Sequence, residues 1–324
     1  MFMRRILIND DIIKLAEEYA EHLFENRSKN FKTPCELLIQ LSKDLKNNGQ
    51  LSYERYVNKI ILFFPHILTL KYDEFIDYTN KHFSNLTEDE LHAKIPGCKG
   101  KSFYKAVINA MRYNDVQKTE IRPYMKRMGL NTCVYCNASY AVATDDRKAT
   151  FQVDHYLPKS KYPFLCISFF NLYPTCMHCN QIKSKETTYN FCLYTKDSKE
   201  LNPFKFSIDD KSIIKYMLFN NADLLKVNLK SDKPTKEAED HFKSFHLGGL
   251  YPQFSDEIEE IVWKAKIYNE SYRNQLLAAY NKKFPFNMYA FKRFYLGFYP
   301  DAKDVHKRPL TLLKQSIAKE MGLE

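Results

Sequence analysis

Between Asp10 and Arg27 the apolar residues Ile12, Ile13, Ala16, Tyr19, Ala20, Leu23 and Phe24 recur at intervals of three and four, which predicts a helix with one buried face. A second helix follows with its own start signal. Thr33 and Glu36 form a capping-box pair around Pro34, and Leu37, Leu38, Leu41 and Leu45 then share a side until Asn47-Asn48-Gly49 stops it. Thr87 and Glu90 repeat the capping pattern ahead of Leu91. Residues 1–95 are therefore expected to be a helical domain, in which His22, His66, His82 and His92 stand isolated as ordinary core or surface residues.

Pro96-Gly97 breaks the pattern. From Lys99 to Arg127 eight Lys or Arg face only Asp115 and Glu120, and Phe103, Tyr104, Val107, Ile108 and Met111 keep helical spacing while Lys101, Lys105 and Arg112 fall on the other side. We read 96–130 as a basic helical connector. Residues 131–206 then change character, with short segments, turn residues and clustered Cys, His and Asn. Residues 207–324 are expected to be helical again, with one long helix from Asp256 to about Lys283 and a last one from Leu310 to Met321.

The chain has 324 residues and a formal charge of +10, an excess that favours polyanionic partners and is also found on ordinary surfaces. No apolar run reaches eighteen residues, and the start has only Ile6 to Ile8 between Arg5 and the acids at Asp10 and Asp11, which does not make a signal peptide. A soluble, cytoplasmic protein is expected, with no membrane partner. In a reducing compartment eight cysteines do not suggest disulfides.

Four of those cysteines carry chemistry. Cys133-Val-Tyr-Cys136 and Cys176-Met-His-Cys179 each set two thiolates across a tight turn, the spacing of adjacent corners of a zinc tetrahedron. A redox dithiol needs only one such pair. Four thiolates close the shell, so the expected zinc is structural, and His178 is not needed as a ligand. Cys35, Cys98, Cys166 and Cys192 read as small buried hydrophobes.

Between the pairs lie Asp154-His155, then Pro158, then Asn171-Leu172, with Asn180 directly after Cys179 and a Lys downstream. This order over about fifty residues resembles the HNH, or ββα-metal, endonucleases that carry a four-cysteine zinc support. More narrowly, the run from Tyr135 to Pro203 and the tail from Arg308-Pro309-Leu310 are similar to bacterial HNH proteins, some of which sit beside ATPases in phage-defence loci. The resemblance implies a mainly α-helical (α+β) chain with a small central ββα-metal module on the zinc knuckle and helical flanks. It implies a metal-dependent nuclease, an anti-phage effector by the narrower likeness, acting on DNA in preference to RNA and leaving a 5′-phosphate. It also implies a partner ATPase, since no phosphate-cradling Gly-rich loop occurs in this chain.

Residue by residue, the resemblance makes His155 the general base, and Asp154 with Asn180 the protein ligands of a catalytic ion. Their hard oxygens suit Mg²⁺ or Mn²⁺. Asn171 is the middle letter, expected to pin the loop through side-chain to backbone hydrogen bonds. On an extended strand Asp154 and His155 point to opposite faces, so either the chain bends there or the two act from different sides. No acid occurs from His155 to Lys185, and Lys159, Lys161, Lys183 and Lys185 are the candidate phosphate contacts. Two other readings remain at this point: an RNA-cleaving effector, for instance on transfer RNA, and a non-catalytic zinc module that binds nucleic acid.

Overall fold

The computed structural model describes residues 5–145, 148–183, 191–201, 205–230, 236–285 and 287–323. The protein is mainly α-helical, and among the described residues its named strands form three two-stranded sheets. The chain forms two compact units, each discontinuous in sequence. One comprises Ile8–Met128 with Ala143–Pro174; the other comprises Met1–Leu7, Gly129–Val142 and Thr175–Glu324.

In the first unit the helix starts follow local capping chemistry. Asn9 accepts from the backbone N–H of Ile12 at 3.0 Å and opens the helix Asp10–His22. Both predicted capping boxes are present. Thr33 and Glu36 exchange bonds at the head of Pro34–Asn47, as do Thr87 and Glu90 at the head of Glu88–His92. The first helix ends at His22 and does not continue to Arg27. Leu23 turns extended and Phe24 adopts φ 67°, which buries the Phe24 ring against Phe31 at 5.1 Å, with the Arg27 guanidinium over both rings.

Pro34–Asn47 packs on Leu51–Thr69 and on Phe103–Ala110, around Leu38, Leu45, Tyr56, Ile60, Phe103 and Val107, none more than 1% exposed. Residues 163–172 are embedded in this helical core. Phe164 to Ile167 are fully buried, Phe164 stacks on Phe83 at 4.0 Å, and the Tyr19 hydroxyl donates to the Ile167 carbonyl at 2.9 Å. The strand Gln152–His155 pairs with the strand Leu172–Thr175.

In the second unit Ile6–Leu7 runs parallel to Tyr194–Thr195, with Ile6 opposite Tyr194, and Lys205–Ile208 runs antiparallel to Val227–Lys230. The helix Thr311–Glu320 lies on the strand Lys205–Ile208 and on the helix Ser255–Ile267, burying Leu313 and Ile317 completely. The expected single helix from Asp256 to Lys283 is two, Ser255–Ile267 and Glu270–Asn281. Tyr268 leaves helical geometry and the Asn269 side chain accepts from the Tyr272 N–H at 2.9 Å, starting a new helix. Among the described residues no helix is long and apolar enough to cross a membrane.

Candidate metal centre and active site

Both cysteine pairs and their supports lie in the second unit. The first pair sits in a tight hairpin. Thr132 bridges Tyr140, Cys133 N–H donates to the Ser139 carbonyl at 2.9 Å, and Asn137 N–H returns to the Cys133 carbonyl at 2.9 Å. The second pair opens the helix Met177–Lys183. The Ala138 N–H points at Cys136 Sγ at 3.4 Å and the Cys179 N–H at Cys176 Sγ at 3.5 Å, so backbone donors already face two of the sulfurs.

The four Sγ atoms lie within 4.8 Å of one another. A tetrahedron with Zn–S bonds of about 2.3 Å has edges of roughly 3.8 Å, so the cluster fits one zinc ion with little adjustment. Crowded thiols share protons unequally. Hydrogen bonding from Cys133 draws Cys136 and Cys176 down, whereas burial pushes Cys133 itself up. A divalent ion would replace those protons and remove the conflict. Cys133, Cys136 and Cys179 are almost fully buried and His178 is exposed, so an all-cysteine shell leaves no open position.

The residues that hold the knuckle in place gave no signal in the sequence. Tyr251 donates its hydroxyl to the Cys136 carbonyl, and His241 Nε2 is 2.9 Å from the Tyr135 carbonyl. The Tyr135 ring stacks on Phe245 at 4.4 Å. Burial holds the His241 imidazole neutral by pulling its pKa down to about 3, so its ring N–H serves the carbonyl without placing a cation beside the cysteine cluster.

Asn137 is a hub. At φ 51° and 1% exposure it donates through Nδ2 to Thr132 Oγ1 and to the Val305 carbonyl, both at 3.0 Å. It also accepts from the N–H groups of Leu312 and Leu310. Asparagine suits this left-handed position just after the last Cys of the knuckle because its short polar side chain tolerates that backbone and is fully used.

Asp154, His155 and Asn171 belong to the first unit. Burial alternates along Gln152–His155, with Val153 and His155 inside and Asp154 partly exposed, so the neighbouring Asp154 and His155 leave the strand on opposite sides. His155 is 3% exposed, and its Nε2 is 3.0 Å from the Cys166 carbonyl. A carbonyl only accepts, so Nε2 carries the proton of the neutral ring and Nδ1 holds the basic lone pair. The Tyr113 ring packs on the imidazole at 4.7 Å, and its hydroxyl, kept protonated by burial, donates to the Val153 carbonyl at 3.2 Å.

Asn171 is fully buried and binds the loop after His155 by three side-chain bonds. Its Oδ1 accepts from Leu157 N–H at 2.7 Å, and its Nδ2 donates to the carbonyls of Leu157 at 3.2 Å and Leu165 at 3.0 Å.

The four candidate lysines have different surroundings. Lys159 Nζ lies 5.0 Å from the Tyr113 ring centre; burial lowers its pKa, while the Asp154 charge opposes the drop. Lys161 is exposed and pairs with Glu88 at 3.2 Å. Lys183, in the second unit, lies over Tyr135 at 5.6 Å, and Lys185 falls outside the described residues. Asn180 stands half-buried on Met177–Lys183, its N–H on the Cys176 carbonyl at 3.1 Å, in the same unit as the cysteines.

No protein-family model matches the chain, and no solved structure matches it. The chain is similar to the Septu protein PtuB of Bacillus thuringiensis, with 31% identity over 101 residues that take in 24% of this chain and 38% of that protein. It thus spans well under half the length of that curated relative.

Proposed function

We propose that this protein is a metal-dependent endonuclease of the HNH kind acting in anti-phage defence, and that it hydrolyses phosphodiester bonds, DNA first. The observation that carries the reading is the bonding of His155. The Cys166 carbonyl takes the proton of Nε2 and so selects the tautomer whose basic lone pair is on Nδ1, and a tautomer fixed by a backbone acceptor is what a general base requires. Asn171 fixes the loop that follows, and the Lys159 cation next to Asp154 keeps the local field positive toward phosphate.

By the resemblance alone, Asp154 and Asn180 are the residues that would hold one Mg²⁺ or Mn²⁺ ion. Such an ion would supply charge neutralisation at the scissile phosphate and leaving oxygen. The structural zinc belongs to Cys133, Cys136, Cys176 and Cys179, whose donor set and spacing favour it. The likeness to a Septu protein and the HNH pattern together support the defence role and a partner protein, an ATPase in the reading from sequence.

Purified wild type and His155→Ala, both shown by elemental analysis to hold zinc, are compared on supercoiled plasmid with Mg²⁺, Mn²⁺ or EDTA. Metal-dependent nicking that falls by about a hundred- to ten-thousandfold in the variant is the expected result. Equal cleavage by both proteins would overturn the assignment of the base. Cleavage confined to transfer RNA in a parallel reaction would move the substrate from DNA to RNA.

A further inference from the structure

Outside the knuckle, the second unit gathers positive charge around one tyrosine. The Arg293 guanidinium carbon lies 4.3 Å from the centre of the Tyr299 ring, the Lys307 ammonium 5.1 Å and the Arg308 guanidinium carbon 5.3 Å. Lys307 and Arg308 are exposed, as is Lys303 on the same turn, Ala302–Lys307. Residues 292–308 hold five Lys or Arg against Asp301 and Asp304. Asp304 is buried and already bonded by Lys307 at 2.8 Å and by the Tyr289 hydroxyl, and Asp301 faces Lys303 at 3.8 Å. Among the described residues no carboxylate pairs with Arg293 or Arg308. Lys307 is compensated by Asp304, but the two guanidinium groups of Arg293 and Arg308 share one ring with no carboxylate of their own and repel each other in the free protein. The ring face offsets part of that, and a bound polyanion would offset more.

This cluster is fastened to the first cysteine knuckle by the chain that carries it. Asn131 N–H donates to the His306 carbonyl at 2.9 Å, and Asn137 Nδ2 donates to the Val305 carbonyl at 3.0 Å. The Leu310 N–H returns to the Asn137 carbonyl at 2.7 Å. These bonds flank Cys133 and Cys136 on both sides. A surface of fixed guanidinium groups presents planar donors suited to phosphate oxygens, and its rigid mount costs little ordering on binding.

We propose that Arg293, Lys307 and Arg308, set around Tyr299, form a nucleic-acid backbone grip held in register by the first cysteine knuckle. The grip deepens the nuclease reading and rests on it. It contacts phosphates rather than base edges, so it contributes affinity without sequence preference.

The test is fluorescence anisotropy of a labelled mixed-sequence DNA duplex, with a hairpin RNA of equal length in parallel, across a salt series and without added Mg²⁺ or Mn²⁺. Arg293→Gln/Arg308→Gln is compared with wild type and with Lys43→Gln/Lys46→Gln, which removes the same charge from exposed residues of the other unit. Loss of two phosphate contacts lowers the slope of log affinity against log salt by about two, and the affinity by about tenfold or more near 0.1 M salt. Unchanged binding by the arginine variant, an equal loss in the lysine variant, or no binding of either probe by wild type would overturn the grip. Loss of cleavage in His155→Ala would still stand by itself as support for the nuclease. Should the double variant lose zinc, the exposed single change Arg308→Gln is expected to lower the slope by about one, and no change in that slope overturns the proposal.

Discussion

Replacing Asn171 tests whether the loop behind His155 is held by one side chain. In Asn171→Ala the Leu157 N–H and the carbonyls of Leu157 and Leu165 lose their partner in a site with no solvent exposure. Each orphaned buried group costs about 1–3 kcal/mol, but each carbonyl has a second lone pair and an amide-sized void can admit a water. A loss of about 3–5 kcal/mol follows for the compact unit that contains it. Asn171→Asp keeps the shape and the acceptor for Leu157 N–H but turns an oxygen toward two carbonyls. Leu157 N–H serves one oxygen, but the other is buried against two carbonyls with no donor of its own, so the acid takes up a proton there and its folded pKa rises above the ordinary value near 4.

The sign is then fixed. A raised carboxyl pKa costs most at high pH, about 1.4 kcal/mol for each tenfold weakening of the acid, and the cost shrinks as pH falls toward the unfolded value. Urea unfolding at about pH 7 and pH 5, followed by aromatic circular dichroism, should therefore show Asn171→Asp recovering on acidification relative to Asn171→Ala. In the nicking assay both variants should lose kcat more than they raise KM, because Asn171 is itself fully buried and acts on His155 only through the loop backbone. A destabilisation below about 1 kcal/mol in Asn171→Ala, or no pH-dependent difference between the two variants, would refute this account of the loop.

Three further outcomes follow from the second unit. Cys176→Ser should release zinc and unfold the knuckle, because a three-thiolate shell forfeits much of the roughly 10–16 kcal/mol that structural zinc gives to folding; zinc content and proteolysis report it. Asn137→Ala should lose about 3 kcal/mol or more, from its left-handed backbone and three buried side-chain bonds, and Asn137→Gly should recover only the backbone part in thermal melts. His241 is neutral when folded and titrates near its ordinary 6.5 when unfolded, so its contribution is complete above about pH 6.5 and declines as pH falls toward 3. Wild type should therefore lose about 1.4 kcal/mol per pH unit more than His241→Gln across that window, and parallel curves would contradict it.

What could be read from the sequence was local. Thr33 with Glu36 and Thr87 with Glu90 declare helix starts because a capping box closes within four residues, and each Cys-x-x-Cys declares half a metal shell because two thiolates fit across one turn. The helix from Asp256 is shorter than its pattern suggests for the same reason inverted: apolar periodicity continues past Tyr268, and only the Asn269 cap marks the restart.

The rest was decided by contacts between distant segments. Spacing places two half-shells thirty-nine residues apart, but only folding brings Cys133 and Cys136 within reach of Cys176 and Cys179. The proton on His155 is assigned by a carbonyl eleven residues away, and its ring is walled by Tyr113 from a helical segment that showed no chemistry in the sequence. Likewise Arg293, Lys307 and Arg308 are ordinary surface cations along the chain until Tyr299 and the bonds to Asn131 and Asn137 gather them. The chain's order determines which groups are available, through turns and caps that close within a few residues. Which atoms face each other depends on burial, and burial is a property of the whole packed unit.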